Sequence, residues 1–85
     1  MNIKIIEPAG VFYDGEGNFM EFTAKAGQMG VYPKHFPLAT ILEPCEIRIH
    51  KDDGLKTVVV QEGFVEIQQD SVIILTEGAT LRTFE

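Results

Sequence analysis

The sequence predicts an all-β fold, and three observations support this prediction. Val, Ile and Thr supply 22 of the 85 residues, whereas Leu and Ala together supply ten, and β-branched side chains favour strands. Gly and Pro interrupt the chain roughly every eight to twelve residues, which leaves no window long enough for a helix. Apolar and polar residues alternate in several of the segments between these interruptions, as they do in half-buried strands.

Alternation is clearest in two segments, Phe19–Lys25 and Cys45–Lys51. The first segment places Met20, Phe22 and Ala24 on one face, so that Phe19 points outward with the polar side chains, and the second segment alternates apolar and polar side chains in the same way. The turn sequence Asp52-Asp53-Gly54 follows the second segment and leads into Lys56–Gln61. We therefore expect the second segment and Lys56–Gln61 to form a hairpin.

Two continuous apolar runs, Val58–Val60 and Val72–Leu75, are typical of strands covered on both faces or of the inner layer of a sandwich. Phe64–Gln68 lies between them, and Gln69-Asp70-Ser71 forms its turn to the last long strand. We expect a meander of these three strands in the middle of the core. The whole chain accommodates roughly nine or ten strands, which fit two packed sheets or a flattened barrel better than one open sheet.

Size and charge exclude several classes of protein. A chain of 85 residues builds one domain, which we place at residues 1–85. The net charge of −6 gives little attraction to phosphate backbones, so we expect no nucleic-acid partner. No stretch approaches the roughly 18 apolar residues that a membrane span requires, so we expect no direct membrane insertion.

The cellular compartment follows from cysteine usage and from the N-terminus. Cys45 is the single cysteine and has no partner for an internal disulfide, which favours the reducing cytosol. The apolar run at the N-terminus is too short for a signal peptide. The sequence therefore predicts a cytoplasmic protein.

Candidates for catalysis are few. His35 lies between prolines, a setting that favours a role in structure or in an interface over proton transfer. His50 takes an outward strand position, and Cys45 has no base beside it in sequence. Two histidines without a nearby cluster of Cys or acidic residues do not make a metal site. We expect a non-catalytic protein without a cofactor or a metal, and an enzyme that uses His35 or Cys45 is an alternative.

The most informative segment is Gly27–Leu38, which reads Gly-Gln-Met-Gly-Val-Tyr-Pro-Lys-His-Phe-Pro-Leu. Its glycines permit unusual backbone angles and its prolines make it stiff. A stiff loop loses little entropy on association, so one interpretation is a preformed binding edge. The other is a corner of the sandwich without a further role. A free-standing small β-sandwich that binds a ligand or a protein is a further alternative.

Gly27–Leu38 resembles the signature Gly-x-x-Gly-Ile-x-Pro-x-His-x-Pro-Leu of the epsilon subunit of the rotary F-type ATP synthase. The resemblance continues in family order through Ile47-Arg48-Ile49, Gly63–Ile67 and Val72–Ala79. It implies a ten-stranded β-sandwich of two five-stranded sheets, the N-terminal domain of that subunit. It also implies a non-catalytic rotor-stalk subunit at the cytoplasmic face of the bacterial inner membrane, which joins the gamma subunit to the c ring and couples proton or sodium flow to ATP synthesis and hydrolysis.

The resemblance assigns five residues to partner contacts. Gln28 and Met29 match the family loop that faces the c ring, where an acidic residue is frequent in place of Gln28. His35 and Thr40 match positions near the gamma subunit, and Glu7 falls at a first-strand position on the same side. We carry these roles over as expectations.

Besides Gln28, the chain departs from the family pattern at three further places. Glu62 replaces the first glycine of a Gly-Gly pair, and Cys45 stands where glycine is commonest. Most members continue beyond the position of Glu85 into a C-terminal helical hairpin that inhibits hydrolysis. Both a naturally short subunit and a fragment that ends at the domain boundary agree with the sequence.

Overall fold

The computed structural model describes residues 1–82, which form strands joined by short turns. The strands are β1 Asn2–Glu7, β2 Gly10–Glu16, β3 Phe19–Ala24, β4 Gly27–Val31, β5 Leu38–Leu42, β6 Cys45–Lys51, β7 Gly54–Val60, β8 Gly63–Ile67, β9 Ser71–Thr76 and β10 Ala79–Leu81. The prediction of an all-β fold is confirmed. Most strands begin or end beside a Gly or Pro, whereas the turn between β8 and β9 contains neither.

The strands form two layers. The first sheet has the order β4-β3-β6-β7-β10, and the second has the order β5-β8-β9-β1-β2. Neighbours pair antiparallel, except that β1 and β9 pair in parallel. A bridge between Ala24 of β3 and Leu42 of β5 joins the sheets at one corner. The predicted ten-stranded sandwich of two five-stranded sheets is confirmed, in the form of a flattened barrel.

The core lies between the two sheets and results from the alternation along each strand. Burial of each large apolar side chain contributes about 1.5–3 kcal/mol to stability. The buried side chains are Met20, Phe22, Ala24, Val31, Ile47, Ile49, Val58 and Val60 from the first sheet, and Ile3, Ile5, Leu42, Val65, Ile67, Val72 and Ile74 from the second.

The predicted meander is wrong in one respect. β8 and β9 are neighbours, but β7 belongs to the other sheet, where it pairs with β6 and β10. The chain crosses between the layers at Gln61 and Glu62. An apolar run indicates that one face of a strand is buried, but it does not show which sheet the strand belongs to, and Leu75 at the end of the second run is exposed on the outer face.

The side chain of Thr76 fixes this crossing. Its hydroxyl oxygen lies 2.8 Å from the carbonyl oxygen of Gln61 and 3.0 Å from that of Gly78, and the hydroxyl has one proton to donate. The backbone N–H of Glu77 donates to the carbonyl oxygen of Glu62 at 3.0 Å. These bonds fasten the end of β9 to the segment that changes sheets.

Candidate interaction surface

The signature segment forms β4 and the loop that leads to β5. Gly27 has a φ of 127°, which only glycine adopts without strain, and it makes the turn from β3. Lys34 has a φ of 67°, in the left-handed region. Its backbone N–H donates to the carbonyl oxygen of Gln69 at 2.6 Å. This bond ties the loop to the turn between β8 and β9.

Gln28 and Met29 are neighbours in β4 but point in opposite directions. Gln28 is exposed, and its side-chain oxygen accepts a hydrogen bond from the Thr23 hydroxyl at 3.0 Å. Met29 pairs with Phe22 and packs, half-buried, against the core. Gln28 is therefore the one of the two that presents its side chain to solvent, near the turn that precedes β4.

Glu7, His35 and Thr40 lie at different places along the second sheet. Glu7 ends β1, whereas His35 lies in the loop at the opposite end of the sheet, and Thr40 lies within β5. The Nδ1 of His35 is 2.7 Å from the carbonyl oxygen of Phe36 and donates to it in the tautomer that carries a proton there. The structure does not gather these three residues into one cluster.

Five apolar side chains form a continuous row across the outer face of the second sheet, which we call the apolar row. Ile41 pairs with Phe64, Phe64 with Leu75, Leu75 with Ile6, and Ile6 with Val11. Paired residues point to the same side of a sheet. Their chain neighbours Leu42, Val65, Ile74 and Ile5 point into the core.

The apolar row is open to solvent along most of its length. Phe64 is 45% exposed, Leu75 48% and Val11 59%. Four steps between strands at about 4.8 Å each give the row a length of about 19 Å. Contiguous exposed apolar side chains on a soluble protein mark an interaction site, and interface cores have this composition inside a polar rim.

The outer face of the first sheet is different, because charged side chains pair across it. Glu21 Oε1 accepts a hydrogen bond from Arg48 Nε at 2.7 Å and lies 3.4 Å from His50 Nε2. The hydrogen bond from Arg48, and next that from His50, lowers the pKa of Glu21 below its ordinary value. Arg82 and Glu46 form a second ion pair on this sheet. Covering the apolar row contributes more to the free energy of binding than covering these ion pairs, because buried charges lose their hydration.

The candidates for catalysis do not come together. Cys45 and His50 lie near opposite ends of β6. The sulfur of Cys45 accepts a hydrogen bond from the backbone N–H of Thr23 at 3.4 Å, at the corner where the sheets join. The described residues include no group of three or more His, Cys, Asp or Glu side chains placed to hold a metal. No helix within residues 1–82 is long and apolar enough to cross a membrane.

Sequence reasoning did not find the apolar row. Its members lie on five strands from three separate parts of the chain, and their alignment depends on the pairing of those strands. One signal was present: Ile41, Phe64 and Leu75 are out of phase with the core positions beside them. Phe19, which alternation predicted to point outward, stacks on Tyr32 with 4.3 Å between ring centroids.

Comparison with known proteins gives one family. The model of the family described as ATP synthase, Delta/Epsilon chain, beta-sandwich domain matches residues 1–82. The ATP synthase epsilon chain of Thermotoga maritima is 37% identical over 79 residues, which are 93% of this chain and 73% of the relative. That of Ruthia magnifica is 32% identical over 79 residues, again 93% of this chain but 57% of the relative.

Solved structures have the same fold. A chain of the Euglena gracilis mitochondrial ATP synthase, in a structure that comprises OSCP, F1 and the c ring, matches with a TM-score of 0.85 at 20% identity. The match covers 93% of this chain and 51% of that one. A chain of the Tetrahymena thermophila mitochondrial ATP synthase, from its central stalk and c ring, matches with a TM-score of 0.79 at 14% identity, covering 94% of this chain and 65% of that one.

Proposed function

Because the chain belongs to the delta/epsilon β-sandwich family of ATP synthase, we propose that it is the epsilon subunit of an F-type ATP synthase, or that subunit's N-terminal domain. In this role residues 1–85 act as one non-catalytic domain of the central stalk, which joins the gamma subunit to the c ring. The domain couples ion flow to ATP synthesis and hydrolysis by transmitting rotation. It is peripheral, at the cytoplasmic face of the bacterial inner membrane.

The apolar row carries the gamma part of this proposal. Of the three residues that the family resemblance assigns to the gamma side, Thr40 and Glu7 are chain neighbours of the row members Ile41 and Ile6. Their backbone adjoins the row, but their side chains turn to the other face of the sheet, as the pairing of Thr40 with the buried Val65 shows. The next row of paired residues, Glu66, Ile73, Lys4 and Asp14, carries charges and supplies one side of a polar rim. We place the gamma contact on this face.

The c-ring contact lies elsewhere on the domain. Gln28 is exposed on β4, and among residues 1–82 β4 pairs only with β3. This edge belongs to the first sheet, so it is free when the second sheet is covered. The domain can thus contact two partners at once, as a connecting subunit must.

Calorimetric titration of the chain with the gamma subunit encoded by the same genome tests this proposal. Phe64 occupies the middle of the apolar row, and Phe64→Asn should weaken binding by at least about tenfold, as loss of a central aromatic anchor does. Leu55 supplies the matched control, because it is 53% exposed and belongs to the first sheet. Leu55→Asn should leave the affinity unchanged.

Circular dichroism must show that both variants are folded. Equal affinity of the wild type and Phe64→Asn for gamma would exclude the apolar row from the interface. Loss of binding in Leu55→Asn alone would place the interface on the opposite sheet. Absence of binding by the folded wild-type chain would contradict the gamma-linking role.

A further inference from the structure

Two lysines occupy inward-facing positions at the seam where the barrel does not close. The strand path ends at β10 on one side and at β2 on the other. Lys51 continues the inward series of Ile47 and Ile49 in β6. Lys56 precedes the buried Val58 by two residues in β7. Both side chains therefore extend toward the second sheet, where they meet Tyr13 of β2.

Both ammonium groups lie near the ring of Tyr13. The Nζ of Lys56 lies 5.5 Å from the centroid of the Tyr13 ring, and that of Lys51 lies 5.9 Å from it. Among residues 1–82, neither ammonium has a carboxylate within ion-pairing distance. The face of an aromatic ring attracts cations, so Tyr13 positions both groups.

A cleft of about 320 Å³ opens beside this pair, lined by Lys51 and Lys56 together with Arg82, Asp53, Gly54, Leu55, Thr57 and Leu81. The charge of Arg82 is balanced by its ion pair with Glu46. The two lysines then outnumber Asp53, the one acidic residue of the lining, and leave the cleft positive. The hydroxyl oxygen of Tyr13 is also buried without a hydrogen-bond partner among residues 1–82. This positive cleft lies in a chain whose net charge is −6.

We propose that this seam binds a phosphate group, with Lys51 and Lys56 as its ligands and Tyr13 as the platform that holds them. Each lysine ammonium is a compact charge with three donors, and a phosphate has enough acceptor oxygens to bond to both ammonium groups. Because the cation–π contacts already order the lysines, binding loses less side-chain entropy than at two free surface lysines. The cleft is large enough for a phosphate that carries an organic substituent. This site is separate from the apolar row and does not depend on the proposed role in the stalk.

Titrations followed by amide chemical shifts test this site, with ionic strength held constant by chloride. The probes are inorganic phosphate, ADP and vesicles of phosphatidylglycerol, with phosphatidylcholine vesicles as the control for the last. We expect saturable shifts in Gly54–Thr57 and Arg82 with at least one phosphate-bearing probe. A response to phosphate or ADP identifies a soluble ligand, whereas a response to phosphatidylglycerol vesicles alone identifies a lipid headgroup.

Two variants distinguish a specific phosphate site from nonspecific electrostatic attraction to surface lysines. Lys56→Met keeps the apolar stem over Tyr13 but removes the charge, and it should weaken binding about tenfold. Lys25→Met removes an exposed lysine from the turn between β3 and β4 and should leave binding unchanged. The proposal is overturned by the absence of saturable shifts with every probe, or by equal weakening in the two variants.

Discussion

The aromatic ring of Phe19 lies over the Cα of Gly30, so that a Cβ at position 30 would come within 2.9 Å of two ring carbons. Glu21, two residues after Phe19, pairs with Gly30 across β3 and β4, and Tyr32 lies two residues after Gly30. The ring of Phe19 uses the space above the glycine to stack on Tyr32. The second glycine of the signature segment is therefore required by a side chain in another strand.

We predict that Phe19 determines whether Gly30→Ala raises or lowers the free energy of unfolding. In the wild type the new methyl group displaces the ring, and the loss of the stack costs about 0.5–1.5 kcal/mol. In a Phe19→Ala background the space is empty, and Gly30→Ala should stabilise the protein by about 0.5 kcal/mol because it restricts the unfolded chain. Urea denaturation of the four proteins in this double-mutant cycle measures the coupling. Equal effects of Gly30→Ala in both backgrounds would contradict the contact.

Gly63 leaves no room for a side chain, and it directly follows the segment that crosses between the sheets. A Cβ at this position would lie 1.9 Å from the carbonyl oxygen of Leu75, an atom of the backbone that cannot rotate away. We predict that Gly63→Ala destabilises the protein by about 3 kcal/mol or more. Thermal denaturation followed by circular dichroism measures this effect.

Gly78 provides the control for Gly63. A Cβ there would meet the Cγ of Gln61 at 3.5 Å, an ordinary contact. Gly78→Ala should change the free energy of unfolding by no more than about 0.5 kcal/mol. Similar losses of stability in the two variants would mean that the close approach to Leu75 is not what constrains Gly63.

Gly63 and the apolar row show what the sequence could and could not predict. Alternation depends on neighbouring residues of one strand, so the inward positions of Met20, Phe22 and Ile47 were predictable. The assignment of β7 to its sheet and the alignment of Phe64 with Ile41 depend on which strands pair, and that is set by contacts far apart in sequence. The family resemblance singled out Gln28 together with Met29, but only the pairing of β4 with β3 shows that Gln28 is the exposed one of the two.

The pairing of Glu21 with Arg48 makes stability depend on pH in a defined direction. The hydrogen bond from Arg48, followed by that from His50, lowers the pKa of Glu21 below its ordinary value in the folded protein. At pH values between the pKa of Glu21 in the folded state and its pKa in the unfolded state, the folded state therefore binds fewer protons. The contribution of Glu21 to stability is fully present above the unfolded pKa and is lost as the pH falls through the folded pKa.

We predict that Glu21→Gln removes this part of the acid sensitivity. As the pH falls below the ordinary pKa of a glutamate, the free energy of unfolding of the wild type should fall more steeply than that of the variant, whereas the two slopes should agree near neutrality. Arg48→Met removes the larger cause of the lowered pKa and should flatten the same part of the profile. Since the Glu21 side chain keeps part of its surface in contact with solvent, this effect is expected to shrink in high salt. Parallel profiles for the wild type and Glu21→Gln between pH 5 and 3 would show that the Arg48 contact does not persist in solution.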